Sequence, residues 1–428
     1  MNFPSVLEFS RRLCYNGRKT AQTKRGEGDA VRLPKNVSYI IDRLRAGGHR
    51  ADVVGGPVRD FLLGKAPADY DITTDATPER VKAVFSGHRT VDVGIQHGTV
   101  ALILDGEQYE ITTYRVDGEY TDSRHPDSVA FTTDITEDLR RRDFTMNAIA
   151  YNPADGITDP YGGARDIEAR VIRAVGDPAT RFTEDALRIL RGARFAAVLG
   201  FRVEEKTAEA MLRLSPRLRS VSAERIYVEW EKLTAGEFAY GTLESFLPVV
   251  LVFLPELAGL RMPPRESFAA ATPEARRLAL FLSAGLEDAS KCFYSAMKRL
   301  KTKTSVCEYG RDALRVLGDG GFDRSTVGHR LKEYGVEVLR LAADTAEALG
   351  RRELAPHSAI DEYLATGRPF EISGLGIGGK DLLSLGYSGR SVGVILRHLL
   401  DRVIDGELEN DARALIEAVD SIIPCLSE

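Results

Sequence analysis

The stretch GGPVRDFLLGKAPADYDITTDATPE, residues 55–79, gathers residue types that can work together on a nucleotide. Two glycines at a strand-to-helix turn let the backbone approach a ligand closely, and the N–H groups that start the helix can hold a phosphate. Arg59, one turn in, adds a cation, so a nucleoside triphosphate would fit beside Gly56. Asp69 and Asp71 are two apart, and on a strand both carboxylates project from one face while Tyr70 and Ile72 turn to the core. Such a pair can bridge two divalent metals about 3.5–4 Å apart, which activate an attacking hydroxyl and neutralise a leaving pyrophosphate. Glu110, alternating with Tyr109 and Ile111 in QYEITTYR, can bring a third carboxylate to the same side. In a chain with 28% charged residues a D-x-D pair alone arises easily by chance, and its fixed distance behind G-G-x-V-R-D is what gives it weight.

A second constellation lies in RFTEDALRILRGARFAAVLGF, residues 181–201. Thr183 is the expected N-cap, and Asp185, Arg188, Arg191 and Arg194 step by three along the helix it would open, while Ala186, Leu187, Ile189 and Leu190 fill the buried side. Cytosine and adenine each present an exocyclic amino donor beside a ring-nitrogen acceptor, whereas guanine and uracil present the reverse. A carboxylate beside a guanidinium therefore matches C and A. The same residues also admit a plainer reading, an i,i+3 pair or a Glu184–Arg188 i,i+4 surface pair contributing a few tenths of a kcal/mol.

Positioning these groups requires a mixed α/β region. Val37, Ile40, Ile41 and Leu44 recur at helical spacing before the Gly47-Gly48 stop, and strands are expected at Ala51–Val54, Tyr70–Thr73, Val100–Leu104 and Tyr109–Thr113, with helices at Val58–Leu63 and Pro78–Phe85. Beyond Thr180 the 3.6-residue period dominates, broken at Gly200, Pro216, Gly236, Pro255, Gly285, Gly318 and Gly335. The expected hinges between helical segments are Pro263-Pro264 and Gly318–Gly321.

With 428 residues the chain exceeds one ordinary core, and 43% hydrophobic content without a run of about 20 apolar residues excludes a membrane protein. Cys14, Cys292, Cys307 and Cys425 lie far apart without a C-x-x-C pair, which points to a reduced, cytoplasmic setting without disulfides or structural zinc. The net charge of −5 argues against binding nucleic acid by bulk electrostatics. Residues 1–35 depart from it, with eight basic residues against three acidic ones, and read as an extension. The seven histidines show no metal spacing, and His97 and His125 read as structural.

GGPVRD…DYD, then HGTVALI, RRDFTMNA and EDALRILRGARF occur in the order and spacing of the class II tRNA nucleotidyltransferase and bacterial poly(A) polymerase family, which residues 51–201 closely resemble. The resemblance continues through SAERIYVEWEKLTAG (222–236) to residues 377–410. It implies that Asp69 and Asp71 hold Mg2+, that Gly56, Arg59 and Arg142 contact the incoming triphosphate, and that Asp185 and Arg188 template the base with Arg191 and Arg194 nearby. It also implies a fold of class α+β, a small mixed-sheet nucleotidyltransferase head followed by an all-α neck, body and tail. The corresponding spans are a basic extension over 1–35, head 36–165, neck 166–236 with the base-templating helix, body 237–345, and a tRNA-binding tail 346–428. Lys298, Arg299, Lys301 and Lys303 would be a phosphate contact or a plain solvated helix end.

Within the family, VGIQHGTVAL (93–102) and the loop 113–131 resemble the CCA-adding enzymes, which build C, C and A onto tRNA from CTP and ATP without a nucleic-acid template. No His-Asp dipeptide occurs, so the similarity is to members without the HD phosphohydrolase domain. Other readings are a poly(A) polymerase, which would carry a basic tail where residues 401–428 are acidic, an enzyme adding only CC or only A, and an inert RNA-binding relative, which would have lost a carboxylate.

Overall fold

The computed structural model describes residues 33–118 and 129–422. The basic extension up to residue 32, the centre of the 113–131 loop with His125, and Cys14 and Cys425 lie outside the described residues. Two compact units divide the chain, one up to Phe253 and one from Leu254 onward, a boundary that falls inside the expected body segment.

The first unit opens with α1 (Lys35–Ala46), whose buried residues are the four that the period singled out. Strands β1 (Ala51–Val54), β2 (Ile72–Thr74), β3 (Arg89–Val91), β4 (Thr99–Leu104), β5 (Glu107–Thr113), β8 (Ala150–Asn152) and β9 (Gly156–Thr158) form one sheet in the order β3-β4-β5-β2-β1-β8-β9. The pair β2–β5 is parallel and the other neighbours are antiparallel, so the sheet is mixed. Helices α2 (Gly56–Leu62) and α3 (Pro78–Val84) follow β1 and β2, and a small hairpin pairs β6 (Arg115–Asp117) with β7 (Val129–Phe131). All four residues of β1 are buried, including Asp52, whose carboxylate accepts from Arg50, from the Tyr114 hydroxyl at 2.7 Å and from Asn152 at 2.6 Å. A charged residue at the centre of a sheet is tolerated only with this degree of pairing.

After α4 (Ile135–Arg140) and α5 (Gly163–Glu168) the chain becomes helical: α6 (Pro178–Glu184), α7 (Leu187–Leu199), α8 (Glu205–Leu214), α9 (Ala223–Ala235) and α10 (Ala239–Val250), with β10 (Val171–Ile172) and β11 (Arg202–Val203) as a short parallel pair. Gly200, in the left-handed region at φ 68°, ends α7. The second unit holds α11 (Arg265–Ala270), α12 (Pro273–Leu282), α13 (Ala289–Arg299), α14 (Thr304–Gly318), α15 (Val327–Ala348), α16 (His357–Ala365), α17 (Gly379–Ser384), α18 (Arg390–Ile404) and α19 (Ala412–Ile422). Its breaks fall where expected: Gly285 separates α12 from α13, Gly318 closes α14, and Gly335 at φ 79° kinks α15. The α+β architecture is the one anticipated. No helix among the described residues is long and apolar enough to cross a membrane.

Two expectations need correction. Residues 70–73 are not one strand: β2 begins at Ile72, Tyr70 is half-buried rather than core, and Asp69 and Asp71 lie in the segment just before it. Thr183 caps no helix, because it sits inside α6, which stops at Glu184. Asp185 adopts extended backbone (φ −136°, ψ 104°), and α7 starts anew at Leu187. The cause is local chemistry, since the Asp185 carboxylate accepts from the Leu187 N–H at 3.0 Å, an aspartate competing with the helix ladder for a backbone donor.

Candidate active site

A cavity of 420 Å³ opens in the first unit, and the two sequence constellations meet in it. Gly55, Gly56 and Arg59 come from the β1–α2 turn, Asp69 and Asp71 from the approach to β2, Arg141, Arg142, Asp143 and Asn147 from the segment after α4, and Asp185, Arg188, Arg191 and Arg194 from the α6–α7 region. Glu110 does not line it. Ile72 pairs with Ile111, which brings Glu110 to the register position beside Asp71, and the two carboxylates sense one another.

The turn after β1 is glycine by necessity. Gly55 has φ 82°, and a Cβ there would stand 2.9 Å from Nη1 of Arg142. Seven arginines and four aspartates line the cavity, so guanidinium groups that can meet a polyphosphate outnumber the carboxylates on its walls. Arg59 donates to Asn147 at 2.9 Å and pairs with Asp60, while Arg142 is held more loosely, 3.6 Å from buried Asp138 and with Nε lacking a hydrogen bond. Burial pushes the Arg142 guanidinium down from its ordinary value, opposed by Asp138. The Asp71 carboxyl is pushed up, first by loss of solvent within the cleft and then by Asp69 and Glu110, with Arg142 opposing.

On the helical side the charges are paired. Arg188, only 8% exposed, donates to Glu184 at 2.7 Å and to the carbonyls of Arg181 and Arg141 at 3.1 and 2.8 Å. The Glu184–Arg188 pair of the plainer reading thus exists, yet it is sheltered and its guanidinium lines the cavity. Asp185 pairs with Arg225 at 2.9 Å. Arg191 pairs with Asp143 at 2.7 Å. Burial opposes charge on Asp143, but Arg191 and the Asn147 amide hold its carboxyl down at about 2. Arg194 lies 2.9 Å from Glu229 and stacks on the Phe195 ring with its guanidinium carbon 3.7 Å from the centroid.

Residues 51–173 match the family model described as Poly A polymerase head domain, and residues 200–247 match the one described as Probable RNA and SrmB-binding site of polymerase A. A CCA-adding enzyme of Streptococcus suis is 36% identical over 399 residues, covering 90% of this chain and 96% of the relative. The chain belongs to the CCA-adding enzyme family. It is accordingly an enzyme of the nucleotidyltransferase class, whose members generally use a divalent metal. The CCA-adding enzyme of Geobacillus stearothermophilus is 37% identical, with 87% of this chain and 93% of that one covered. The solved Bacillus stearothermophilus CCA-adding enzyme in complex with CTP superposes with a TM-score of 0.77 at 33% identity, covering 91% of this chain and 97% of that chain.

Against this family background the donor set can be tested for a divalent ion. Mg2+ ordinarily takes one or two carboxylates plus substrate phosphates rather than a complete protein cage. Asp69 and Asp71, both on the cavity wall, fit that pattern.

Sequence reasoning left Asp143, Asn147, Phe195 and Arg225 without roles, although all line the cavity. Asp143 and Asn147 lie within RRRDFTMN and Arg225 within SAERIYVEWEKLTAG, so the motif segments held them. Their partners, 40 or more residues away for Arg225 and for Asp143, appear only on folding.

Proposed function

We propose that the protein adds C, C and A in turn to the 3′ end of tRNA, using CTP and ATP, with Mg2+ as the metal and the cytoplasm as its setting. The observation that carries this reading is the meeting, in one cavity, of a carboxylate pair, an arginine lining and the Asp185/Arg188 pair. Asp69 and Asp71 would hold the metal, with Glu110 as a flanking carboxylate. Bound there, Mg2+ would supply activation of the tRNA hydroxyl and neutralisation of the departing pyrophosphate. Arg59 and Arg142 bind the triphosphate while Gly55 and Gly56 let it come close to the backbone. Asp185 accepts from the exocyclic amine of C or A, and Arg188 donates to the ring nitrogen, so G and U meet two mismatched groups. Arg191 and Arg194 stand nearby, each facing its own acid.

The head, neck, body and tail spans 36–165, 166–236, 237–345 and 346–428 remain our proposed division, with the tail and the basic run at 298–303 as tRNA contacts. In that run Arg299 pairs with Glu256 at 2.9 Å and Lys298 sits 5.5 Å from the Tyr294 ring centroid, an arrangement that can meet a phosphate without dissolving the core.

The test is incubation with a tRNA lacking its CCA end, each nucleotide separately and together, with Mg2+, and products resolved nucleotide by nucleotide. Addition of two cytidines and one adenosine is expected. A ladder of many adenosines would replace the reading with a poly(A) polymerase, and a stop after two cytidines would replace it with a CC-adding enzyme.

A further inference from the structure

We infer that Arg225 is a specificity-determining positioning residue: by holding Oδ2 of Asp185 it fixes that carboxylate in the orientation that reads the base. The inference rests on the base-reading role of Asp185 and Arg188 proposed above. Asp185 and Arg188 are three residues apart and oppositely charged, a spacing at which side chains normally seek each other on a helix. In the structure they do not pair. The backbone break places Asp185 outside both α6 and α7, and its two oxygens are engaged separately, Oδ1 by the Leu187 N–H at 3.0 Å and Oδ2 by Nη2 of Arg225 at 2.9 Å. Arg188 is drawn the other way, to Glu184 and two carbonyls.

Arg225 stands in the first turn of α9, a helix remote in sequence, and itself lines the cavity. A carboxylate with one donor on each oxygen keeps a second lone pair on each for a ligand amine. That is the property that separates C and A from U and G. If Arg225 were removed, Oδ2 of Asp185 would lose its side-chain partner and only the Leu187 N–H would hold the carboxylate, so its oxygens would no longer be fixed where a base amine meets them. Arg225 thus influences the choice of base without taking part in the chemistry.

The experiment compares wild type, Arg225→Ala and Arg225→Lys, all full length, on a tRNA lacking CCA, measuring kcat and KM for CTP, ATP, UTP and GTP separately. Arg225→Ala is expected to raise UTP and GTP use relative to CTP and ATP by about ten-fold, mainly through a higher KM for the correct nucleotides. Arg225→Lys, which keeps a cation in reach, should recover most of the discrimination. The inference is overturned if Arg225→Ala keeps wild-type discrimination, or if all four nucleotides lose kcat alike, the mark of a merely structural role. Should Arg225→Ala not fold, Arg225→Met, which keeps much of the apolar stem without the charge, decides: wild-type KM for CTP and wild-type discrimination would overturn the inference, and a loss of discrimination would support it. Failure of the wild type to add C, C and A would instead count against the proposed function.

Discussion

On the sheet side of the cavity the Asp71 carboxyl is pushed up by its surroundings, and the acid that faces Arg142 stands 3.6 Å away. On the helix side each arginine has its own acid: Arg188 has Glu184, Arg191 has Asp143, Arg194 has Glu229 and Arg225 has Asp185. The first arrangement is electrostatically incomplete, and a ligand carrying phosphate and metal would complete it. The second is already neutralised and fixed, so it contributes geometry rather than charge. One wall is thereby suited to lowering a barrier and the other to discriminating between bases, since preorganised donors and acceptors reject a mismatch by leaving it unpaired.

The sharpest way to break this division is Asp71→Ala. Loss of a carboxylate that we propose positions the metal, and that is not core, should lower incorporation of both CTP and ATP by at least about 1,000-fold, with folding and tRNA binding retained. Circular dichroism, a filter-binding assay and single-turnover kinetics would check it, and substantial remaining activity would remove Asp71 from the chemistry.

Next in size is Arg188→Ala on the opposite wall. A bidentate base contact is worth about 1–3 kcal/mol of discrimination, so misincorporation of UTP and GTP should rise roughly ten- to a hundred-fold while both correct nucleotides weaken. Because Arg188 is nearly buried and neutralises Glu184, stability should also fall by about 1–3 kcal/mol. Denaturant melts would separate the two effects. A variant that loses kcat for every nucleotide alike, without change in the ratios, would erase the assigned division.

Gly55→Ala tests the sheet wall from the backbone. Its φ of 82° strains any residue with a Cβ, and that Cβ would meet Arg142 at 2.9 Å. Destabilisation of about 1–3 kcal/mol is expected. Displacement of Arg142 should lower turnover about ten-fold, short of the roughly 100-fold that a 1 Å misplacement can reach. Discrimination between bases should stay as in wild type.

How far the sequence foretold these walls differs in the same way. The sheet wall was legible because its signals are local: the Ala51–Val54 run is buried at every position, and the glycine turn and carboxylate pair follow at short range. Strands β3, β8 and β9 were not foreseen, being three residues each and too short to show alternation. On the helix wall the residues were identified but their arrangement was not. EDALRILR reads as continuous helix by propensity, and what breaks it is a carboxylate that prefers the Leu187 N–H and an arginine 40 residues away. Tertiary pairing of that kind leaves no periodic trace.

The smallest expected effect belongs to Phe195, which stands between the walls. Its ring carries Arg194 at 3.7 Å, Arg59 at 5.4 Å and Arg191 at 5.5 Å from guanidinium carbon to centroid, so three cations of both walls share one aromatic surface. Phe195→Leu removes the π face and keeps most of the apolar volume. Each cation–π contact is worth about 0.5–1 kcal/mol, and the acids that also hold these arginines remain. The KM for CTP and for ATP should therefore rise together, by roughly two- to five-fold. The edge contact between Phe195 and Phe144, with centroids 5.8 Å apart, is lost as well, which lowers stability by about 1 kcal/mol. Discrimination against UTP should not move, because Asp185 and Arg188 are held by Arg225, Glu184 and two carbonyls, and by nothing on the ring. Steady-state KM values and misincorporation ratios measured on one preparation decide it: a changed ratio at unchanged KM would mean that Phe195 belongs to base selection, and that the two walls act as one.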